Sequence, residues 1–566
     1  MMEMTGARIL MECLKREGVE LLFGYPGGQA IDLYHELTNH PELRHILVRH
    51  EQGAAHAADG YARATGKVGV CMVTSGPGAT NIVTGLATAF ADSIPVVAIT
   101  GQVPTYLIGN DAFQEADIVG ITRPCTKHNF LVKDITQLAT VLRQAFHLAR
   151  SGRPGPVLVD IPKDVQIAHA EFVWPEEVRM RSYNPTYRPN LNQLRRAADL
   201  ILAAKCPLFI AGGGVISSNA SEILGILAHR LSIPVTTTLM GLGAFPSDDP
   251  LSVRMPGMHG AYVANMAMNN ADLLIGVGAR FDDRVTGKLS TFAPKAKIIH
   301  IDIDPTSIRK TIKVDVPVVG DCRMALEGIW EVLSSRLEAT PRDWAGERTP
   351  WLNQLDEWRR AQPLAYVKGS NLKPQQVVEA LERITGGDAI IVTEVGQHQM
   401  WAAQYWSVRK PRTFFSSGGL GTMGYGLPAA IGIQLGLPGK LVIDIAGDGS
   451  IQMNSQEFMT AVANKLPVKV LILNNGYLGM VRQWQQLFYN GNYSQTSMEA
   501  QPDFVKLAEA YGAEGYRITT EKELETVLPK ALSSPATAII DVRVEREENV
   551  YPMVPGGAAL DEMLLI

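Results

Sequence analysis

Two polar side chains stand at the ends of two apolar segments in the last third of the chain. Asp448 lies within Gly-Asp-Gly directly after LVIDIA, and Asn475 lies within a pair of asparagines directly after VLIL. The residues between them have the apolar spacing of a helix, so the stretch predicts a βαβ unit with two parallel strands. Ligands bind at the carboxyl ends of such strands. Because Mg²⁺ takes oxygen ligands, we expect Asp448 and Asn475 to hold a metal ion that in turn binds a diphosphate.

The residues around this pair would complete the site. A backbone carbonyl near Tyr477 could supply a third metal ligand. The turn from Gly447 through Gly449 to Ser450 would meet the diphosphate at the start of a helix. The alternative is purely local: Asp448 caps the helix, and the asparagines close a turn.

A second carboxylate stands at a similar place near the start of the chain. Glu51 follows the apolar run HILV and begins the Ala- and Gly-rich stretch EQGAAHAADGYAR, which predicts a helix. A carboxyl group removed from water at this point holds its proton more readily, as a general acid must. The alternative is a glutamate that only complements the helix dipole.

The elements that position these residues recur three times. Apolar strand, glycine-rich turn, helix and second apolar strand follow one another from Gly69, Pro207 and Leu441, with turns GPG, GGG and GDG. In such turns, backbone N–H groups approach an anionic ligand. The repetition predicts an α/β protein of three doubly wound parallel-sheet domains. Proline-rich stretches place these domains at residues 1–185, 190–350 and 365–550, with a C-terminal tail at 551–566.

The composition narrows the class of protein. With 566 residues, 46% of them hydrophobic and 52 of them glycine, the chain fits a large α/β enzyme. A net charge of -5 argues against a general nucleic-acid binder. The five cysteines are scattered without a CxxC pair, which argues against structural zinc and disulfides. No apolar run approaches a membrane span, and the amphipathic N-terminal helix leaves no room for a signal peptide, so we expect a cytoplasmic protein.

Together these motifs resemble those of the thiamine diphosphate-dependent enzymes. GDG followed by NN resembles their diphosphate and metal motif, HEQGAAHAADGYAR resembles their pyrimidine-domain motif, and SSGGLGTMGYG resembles their cofactor-bending loop. The resemblance implies that Asp448, Asn475 and Tyr477 hold Mg²⁺, that Glu51 activates the cofactor, and that Met423 is the wedge beneath it. The further cofactor contacts that it implies are Gln397, His398, Gly421, Gly447, Gly449, Ser450, Gly479 and Met480.

Over essentially its whole length, the chain is most similar to the large catalytic subunits of bacterial anabolic acetolactate synthases. The markers are FGYPGG, DAFQE, RFDDRVTGK, HIDIDP and NNGYLGMVRQW. The resemblance implies that pyruvate is decarboxylated and its two-carbon unit is joined to a second pyruvate or to 2-oxobutyrate. The products, 2-acetolactate and 2-aceto-2-hydroxybutyrate, lead to the branched-chain amino acids. It also implies a homodimer or homotetramer and a small regulatory subunit, with no nucleic-acid or membrane partner.

The same resemblance implies FAD in the middle domain, without net redox chemistry. Phe113 and Gln114 are implied to lie near the reacting carbonyl, and Lys163 to line the channel. Arg284 and Trp484 are implied to shape the pocket for the second keto acid, whose carboxylate suits an arginine fork. The implied flavin contacts are Arg153, Gly212, Gly213, Gly214, Thr238, Leu239, His259, Gly260, Arg280, Asp302, Asp304 and Asp321.

The sequence departs from the family pattern at four positions, and it leaves alternative functions to be considered. The departures touch the channel mouth and the flavin side; they are Gln29, Thr105, Tyr106 and Pro256. The nearest rivals are pyruvate oxidase, whose flavin is redox-active, and the flavin-free catabolic acetolactate synthase. A non-catalytic nucleotide-binding scaffold or regulatory paralogue would be expected to lack Glu51, Asp448 or Asn475, and all three are present.

Overall fold

The computed structural model describes residues 3–178, 180–339 and 342–566. Three parallel β-sheets follow one another along the chain, and helices pack on both faces of each sheet. The prediction of three doubly wound α/β domains is therefore confirmed. In the part of the chain that the structure describes, no helix is both long and apolar enough to cross a membrane.

The four inner strands of the first sheet are buried on both faces, which explains why they are mostly apolar. Alternate residues of Gly69–Val73 enter two separate apolar cores, one on each face. In spatial order the strands are Arg44–Leu47, Leu21–Tyr25, Gly69–Val73, Val96–Gln102, Val157–Pro162 and His128–Leu131. The α-helices are Gly6–Arg16, Ile31–Leu37, Glu51–Thr65, Pro77–Asn81, Val83–Asp92, Ile118–Thr122, Leu138–Arg150 and Lys163–Ile167. Glu3–Thr5 pairs with His169–Glu171 as a short antiparallel ribbon.

The middle sheet has the same construction. Alternate residues of Pro207–Ala211 enter its two apolar cores. In spatial order its strands are Val235–Thr237, Pro207–Ala211, Leu273–Val277, Lys297–Asp302 and Val316–Val319. The α-helices of this region are Leu191–Ala203, Gly213–Ser217, Ser221–Leu231, Tyr262–Asn270, Asp283–Thr286, Cys322–Ala339 and Trp344–Ala361.

The third sheet carries the Gly-Asp-Gly and Asn-Asn motifs. Its strands, in spatial order, are Phe414–Phe415, Ile390–Thr393, Val442–Gly447, Lys469–Asn474, Ala538–Arg543 and Glu514–Ile518. Its α-helices are Pro374–Thr385, Gln397–Tyr405, Gly426–Gly436, Glu457–Ala463, Gly479–Phe488, Phe504–Tyr511 and Glu521–Ser533. As the sequence pattern predicts, the strands that precede Asp448 and Asn475 are parallel neighbours.

The strand order fixes where each domain can bind a ligand. Numbered along the chain within its own sheet, the strands of both outer sheets lie in the order 2-1-3-4-6-5, and those of the middle sheet in the order 2-1-3-4-5. The chain therefore reverses its winding between the first and third strands of every sheet, which opens a crevice at their carboxyl ends. Gly76, Gly212 and Asp448 each lie at one of these three crevices.

The first and third domains meet where two helices cross very closely. A methyl group on Gly60 of Glu51–Thr65 would lie 2.3 Å from the carbonyl oxygen of Ala429, and one on Gly432 of Gly426–Gly436 would lie 1.9 Å from that of Ala57. Only glycine leaves room for this approach. The crossing therefore positions the start of the helix that carries Glu51 relative to the turn that carries Met423.

We expect Gly432→Ala to destabilise the protein by about 1–3 kcal/mol, the usual cost of forcing an extra carbon into a packed contact. The measurement is the midpoint of thermal unfolding. The matched control is Gly225→Ala in Ser221–Leu231, where a Cβ would meet nothing within 4 Å. The control should be neutral or stabilising by up to about 1 kcal/mol. Equal midpoints for the two variants would contradict the close crossing.

Candidate active site

The third sheet brings Asp448 and Asn475 together. Burial raises the pKa of Asp448 to about 7, and backbone hydrogen bonds from Asp448 and Asn475 act in the opposite direction. The Oδ1 atom of Asn475 accepts from the N–H of Tyr477 at 3.1 Å, and its Nδ2 atom donates to Oε1 of Gln397 at 3.2 Å. Asp448, Asn475 and Tyr477 thus share one edge of the sheet. A divalent cation there would favour the ionised form of the carboxyl group.

Among the candidate metal ligands, only the carboxylate of Asp448 can carry a negative charge. Within the described ranges, no three His, Cys, Asp or Glu side chains gather into a metal site. A single carboxylate with neutral oxygen donors suits Mg²⁺, which keeps several positions for phosphate oxygens and water. The residues present therefore fit a metal ion that is bound together with a phosphorylated ligand.

Small residues and an unpartnered histidine atom form a cradle beside Asp448. A Cβ on Gly447 would lie 2.6 Å from Nδ1 of His398, and one on Gly479 would lie 2.0 Å from Oε1 of Gln397. Burial lowers the pKa of His398 to about 3, so its ring is neutral. Its Nε2 atom is buried without a hydrogen-bond partner. A buried polar atom of this kind calls for a ligand, which fits a diphosphate.

The turn that carries Met423 is held by a buried acid. It lies between Gly421 and Gly424, both with positive φ, and Met480 lies in the neighbouring helix Gly479–Phe488. Glu394 accepts from the N–H groups of Gly424 at 2.6 Å and Gly426 at 2.9 Å. Burial raises the pKa of Glu394 above its ordinary value. The sequence patterns did not single out Glu394, because a lone glutamate after a strand has no distinctive spacing.

The first domain contributes a separate group of candidate residues. Glu51 begins its helix half-buried, and its Oε2 atom accepts from Nδ2 of Asn81 at 2.9 Å. A Cβ on Gly76 would lie 2.7 Å from the carbonyl oxygen of Gln114, which itself has a φ of 60°. Phe113 beside it is 86% exposed. Glu51 and Gln114 thus flank the same glycine-rich turn. Asn81 was missed because no motif marks it.

Lys163 lies on the same edge of the first sheet. Its ammonium group donates to the carbonyl oxygen of Gly28 at 2.9 Å and pairs with Asp32 at 3.1 Å. Gln29, which departs from the family pattern, accepts through its carbonyl oxygen from Nε2 of Gln166 at 2.8 Å. Lys163 is therefore held by a hydrogen bond and an ion pair to the segment that follows strand Leu21–Tyr25.

A cavity of about 560 Å³ lies between the three domains. Most of the implied flavin contacts line it: Arg153, Gly212, Gly213, Gly214, Thr238, Leu239, His259, Arg280, Asp302 and Asp321. Gly260 and Asp304 are outside the lining, although Asp304 accepts from the guanidinium of Arg153 at 3.2 Å.

Two buried polar side chains of the cavity wall have shifted pKa values. Burial raises the pKa of Asp302 to about 6 and lowers that of His259 to about 4. Because Nδ1 of His259 is buried without a partner, the cavity fits a polar ligand.

The same cavity continues to the implied substrate residues. Arg284, Met480 and Trp484 also line it, and the guanidinium carbon of Arg284 lies 6.0 Å from the ring centre of Trp484. Pro256, another departure from the family pattern, is also part of the wall. The implied flavin contacts and the implied second-substrate residues thus line the same cavity.

Two groups of candidates lie outside this cavity. Glu51, Phe113, Gln114 and Lys163 do not line it, and neither do Asp448 and Asn475. Conversely, the wall includes charged residues that the sequence patterns did not identify, namely Arg63, Asp92 and Arg412. Arg63 is buried and pairs with Asp59, four residues earlier in its helix, and with Asp92 at 2.9 Å. The pair with Asp92 joins residues on different helices, so no local motif could reveal it.

The chain matches three family patterns in succession. Residues 4–121 match the N-terminal TPP binding domain of thiamine pyrophosphate enzymes, residues 194–329 their central domain, and residues 394–542 their C-terminal TPP binding domain. Each matched range contains one glycine-rich crevice of the three sheets. The resemblance to thiamine diphosphate enzymes is therefore confirmed.

Whole-chain comparisons narrow the family further. The chain is 51% identical to the acetolactate synthase isozyme 3 large subunit of Escherichia coli (strain K12), over 100% of this chain and 99% of that protein. It is 48% identical to the acetolactate synthase large subunit of Buchnera aphidicola subsp. Schizaphis graminum, over 99% and 98%. It is 51% identical to an acetolactate synthase of Mycobacterium bovis, over 99% and 91%. The chain therefore belongs to the acetolactate synthase large subunits, within the thiamine pyrophosphate enzymes.

Proposed function

We propose that this acetolactate synthase chain joins the two-carbon unit of pyruvate to a second pyruvate or to 2-oxobutyrate, and that it does so with thiamine diphosphate, Mg²⁺ and FAD. The observation that carries the proposal is the pair of intact half-sites. Glu51 stands at a helix start with its carboxylate held by Asn81, and Asp448 and Asn475 share the edge of the third sheet.

The third domain would hold the metal and the diphosphate. Asp448, Asn475 and the Tyr477 carbonyl are the proposed Mg²⁺ ligands. His398, whose buried Nε2 atom has no partner, and the turn that ends at Ser450 are the proposed contacts of the diphosphate. Gly447, Gly449 and Gly479 let the backbone approach it closely.

When bound, thiamine diphosphate supplies a carbon nucleophile and an electron sink. Glu51 would hold a proton at its carboxyl group and share it with the pyrimidine nitrogen, while Asn81 keeps the carboxyl group oriented. Met423 would support the cofactor from the turn that Glu394 fixes. Closing the site would exclude water from the reacting groups.

The interdomain cavity would hold FAD and also the second keto acid. Arg153, Arg280 and the glycine turn Gly212–Gly214 are the proposed flavin contacts, and the flavin takes no net part in the redox balance of this reaction. Arg284 would bind the carboxylate of the keto acid beside the indole of Trp484. Phe113, Gln114 and Lys163 would complete the site at the first domain.

A homodimer, at minimum, would bring the two half-sites together. Glu51 and Asp448 lie on different domains, and the cavity of a single chain includes neither of them. Phe113 at 86% exposure and Tyr106 at 72% are large apolar side chains of the first domain that a second copy would cover. The relatives named as large subunits suggest that a small regulatory subunit also binds.

The first test is product formation without oxygen. Pyruvate with thiamine diphosphate, Mg²⁺ and FAD should give 2-acetolactate anaerobically, whereas a pyruvate oxidase would need an electron acceptor.

Glu51→Gln keeps the shape of the side chain but removes the transferable proton, so we expect turnover to fall about 10²–10⁴-fold while the cofactor still binds. Near-normal turnover in this variant would contradict the role of Glu51.

The second test concerns the shared site. Glu51→Gln and Asp448→Ala homodimers should each be inactive. After subunit exchange, half the dimers are mixed and each mixed dimer has one intact site, so we expect about a quarter of the wild-type activity to return. The control is the same mixing of two Asp448→Ala preparations, which should stay inactive. An active isolated monomer would contradict the proposal.

The third test concerns the choice of second substrate. 2-Oxobutyrate exceeds pyruvate by one methylene, which an apolar pocket distinguishes by about 1–3 kcal/mol. We expect Trp484→Leu to lower the preference for 2-oxobutyrate by about tenfold, or about 1.4 kcal/mol, with 2-acetolactate formation largely intact. Both products are quantified in competition at varied 2-oxobutyrate. A collapse of total rate at an unchanged product ratio would instead make Trp484 a structural residue.

A further inference from the structure

A buried glutamate of the third domain contacts the backbone just before Glu51. The Oε1 atom of Glu457 accepts from the N–H groups of Arg49 at 3.0 Å and His50 at 2.9 Å. His50 is the N-cap of the helix that Glu51 begins. The side chain of Glu457 is 1% exposed, and Thr460 donates to its other oxygen at 2.6 Å.

A glycine in the helix makes room for this contact. A Cβ on Gly53 would lie 2.5 Å from Oε1 of Glu457 and 2.7 Å from its carboxyl carbon. Glycine in the first turn of a helix costs stability relative to alanine, so its presence here calls for a steric reason. The approach of the Glu457 carboxylate supplies that reason.

The contact of Glu457 with the backbone lies at the N-terminal end of the helix, away from the helix crossing that packs the two domains together. Farther along, the same helix is held by the backbone crossing at Gly60 and Gly432. Glu457 instead acts at the end of the helix where Glu51 lies, and its negative charge suits a helix N-terminus. Burial raises the pKa of Glu457, and the hydrogen bonds from Thr460, Arg49 and His50 oppose this shift.

We propose that Glu457 is a positioning residue that holds the helix start at Glu51 in place through a contact within its own chain. It fixes the backbone before Glu51, while Asn81 fixes the carboxylate itself. The proposal rests on the proposed function in one respect, namely that Glu51 activates thiamine diphosphate. Glu457 itself would contact neither the cofactor nor the substrate.

The first measurement follows the backbone alone. In protein without added cofactor, Glu457→Ala should speed amide hydrogen exchange at Arg49, His50 and the first helical turn by about tenfold, because a buried hydrogen-bond acceptor is lost. Residues 57–64 should keep their protection. Thr460→Val, which removes only the hydroxyl partner of Glu457, is the matched control and should exchange like wild type. Unchanged exchange at Arg49 and His50, or loss of protection along the whole helix, would overturn the proposal.

The second measurement follows the chemistry that depends on Glu51. With thiamine diphosphate and Mg²⁺ bound, exchange of the cofactor's C2 proton should slow about 10- to 100-fold in Glu457→Ala, because a displaced acid acts poorly. The dissociation constant of the cofactor should change by less than about threefold. Glu457→Gln, which keeps an acceptor oxygen, should restore C2 exchange to within about threefold of wild type.

Glu51→Gln, measured in parallel, separates the two hypotheses. Fast C2 exchange in Glu51→Gln would refute the role of Glu51, and with it the proposed function of that residue. Slow exchange in Glu51→Gln together with wild-type exchange in Glu457→Ala would refute the positioning role alone. Slow exchange in both, with rescue by Glu457→Gln, would support it.

Discussion

The close crossing of Glu51–Thr65 with Gly426–Gly436 is the constraint on which the arrangement of the first and third domains depends. One helix begins with the candidate acid, and the other follows the turn that carries Met423. Because Gly60 and Gly432 let backbone meet backbone, neither helix can slide or rotate without a steric clash. The relative placement of the first and third domains within one chain is therefore set by main-chain contact rather than by long, flexible side chains.

Buried charge reinforces this crossing. The guanidinium of Arg63 donates to Asp59, to Asp92 at 2.9 Å and to the carbonyl oxygen of Ser416 at 3.0 Å. Asp92 in turn accepts from the backbone N–H group of Gly419 at 2.7 Å. Removing one partner would leave a desolvated charge, which is far costlier than the loss of a surface pair. The network therefore fastens the loop before Met423 to the first domain and forms part of the wall of the interdomain cavity.

The sequence predicted those features that repeat or that follow a strand directly. Three apolar strands with glycine-rich turns identified the parallel sheets, and GDG with NN located the edge where Asp448 and Asn475 lie. Single acids and amides such as Glu394, Glu457 and Asn81 could not be predicted, because their partners are distant in sequence and no spacing marks them. The domain boundaries and the roles of the site residues remain predictions.

The segment that follows the third sheet has a consequence for how the protein folds. Val554 and Leu560 are buried in a core of the middle sheet, and the N–H group of Val554 donates to the carbonyl oxygen of Met258 at 2.8 Å. The middle domain is thus completed by residues that are synthesised after the entire third sheet. Domains ordinarily fold in order as they leave the ribosome. Here one core of the middle sheet lacks Val554 and Leu560 until the third sheet has been synthesised, so it cannot reach its final packing before then.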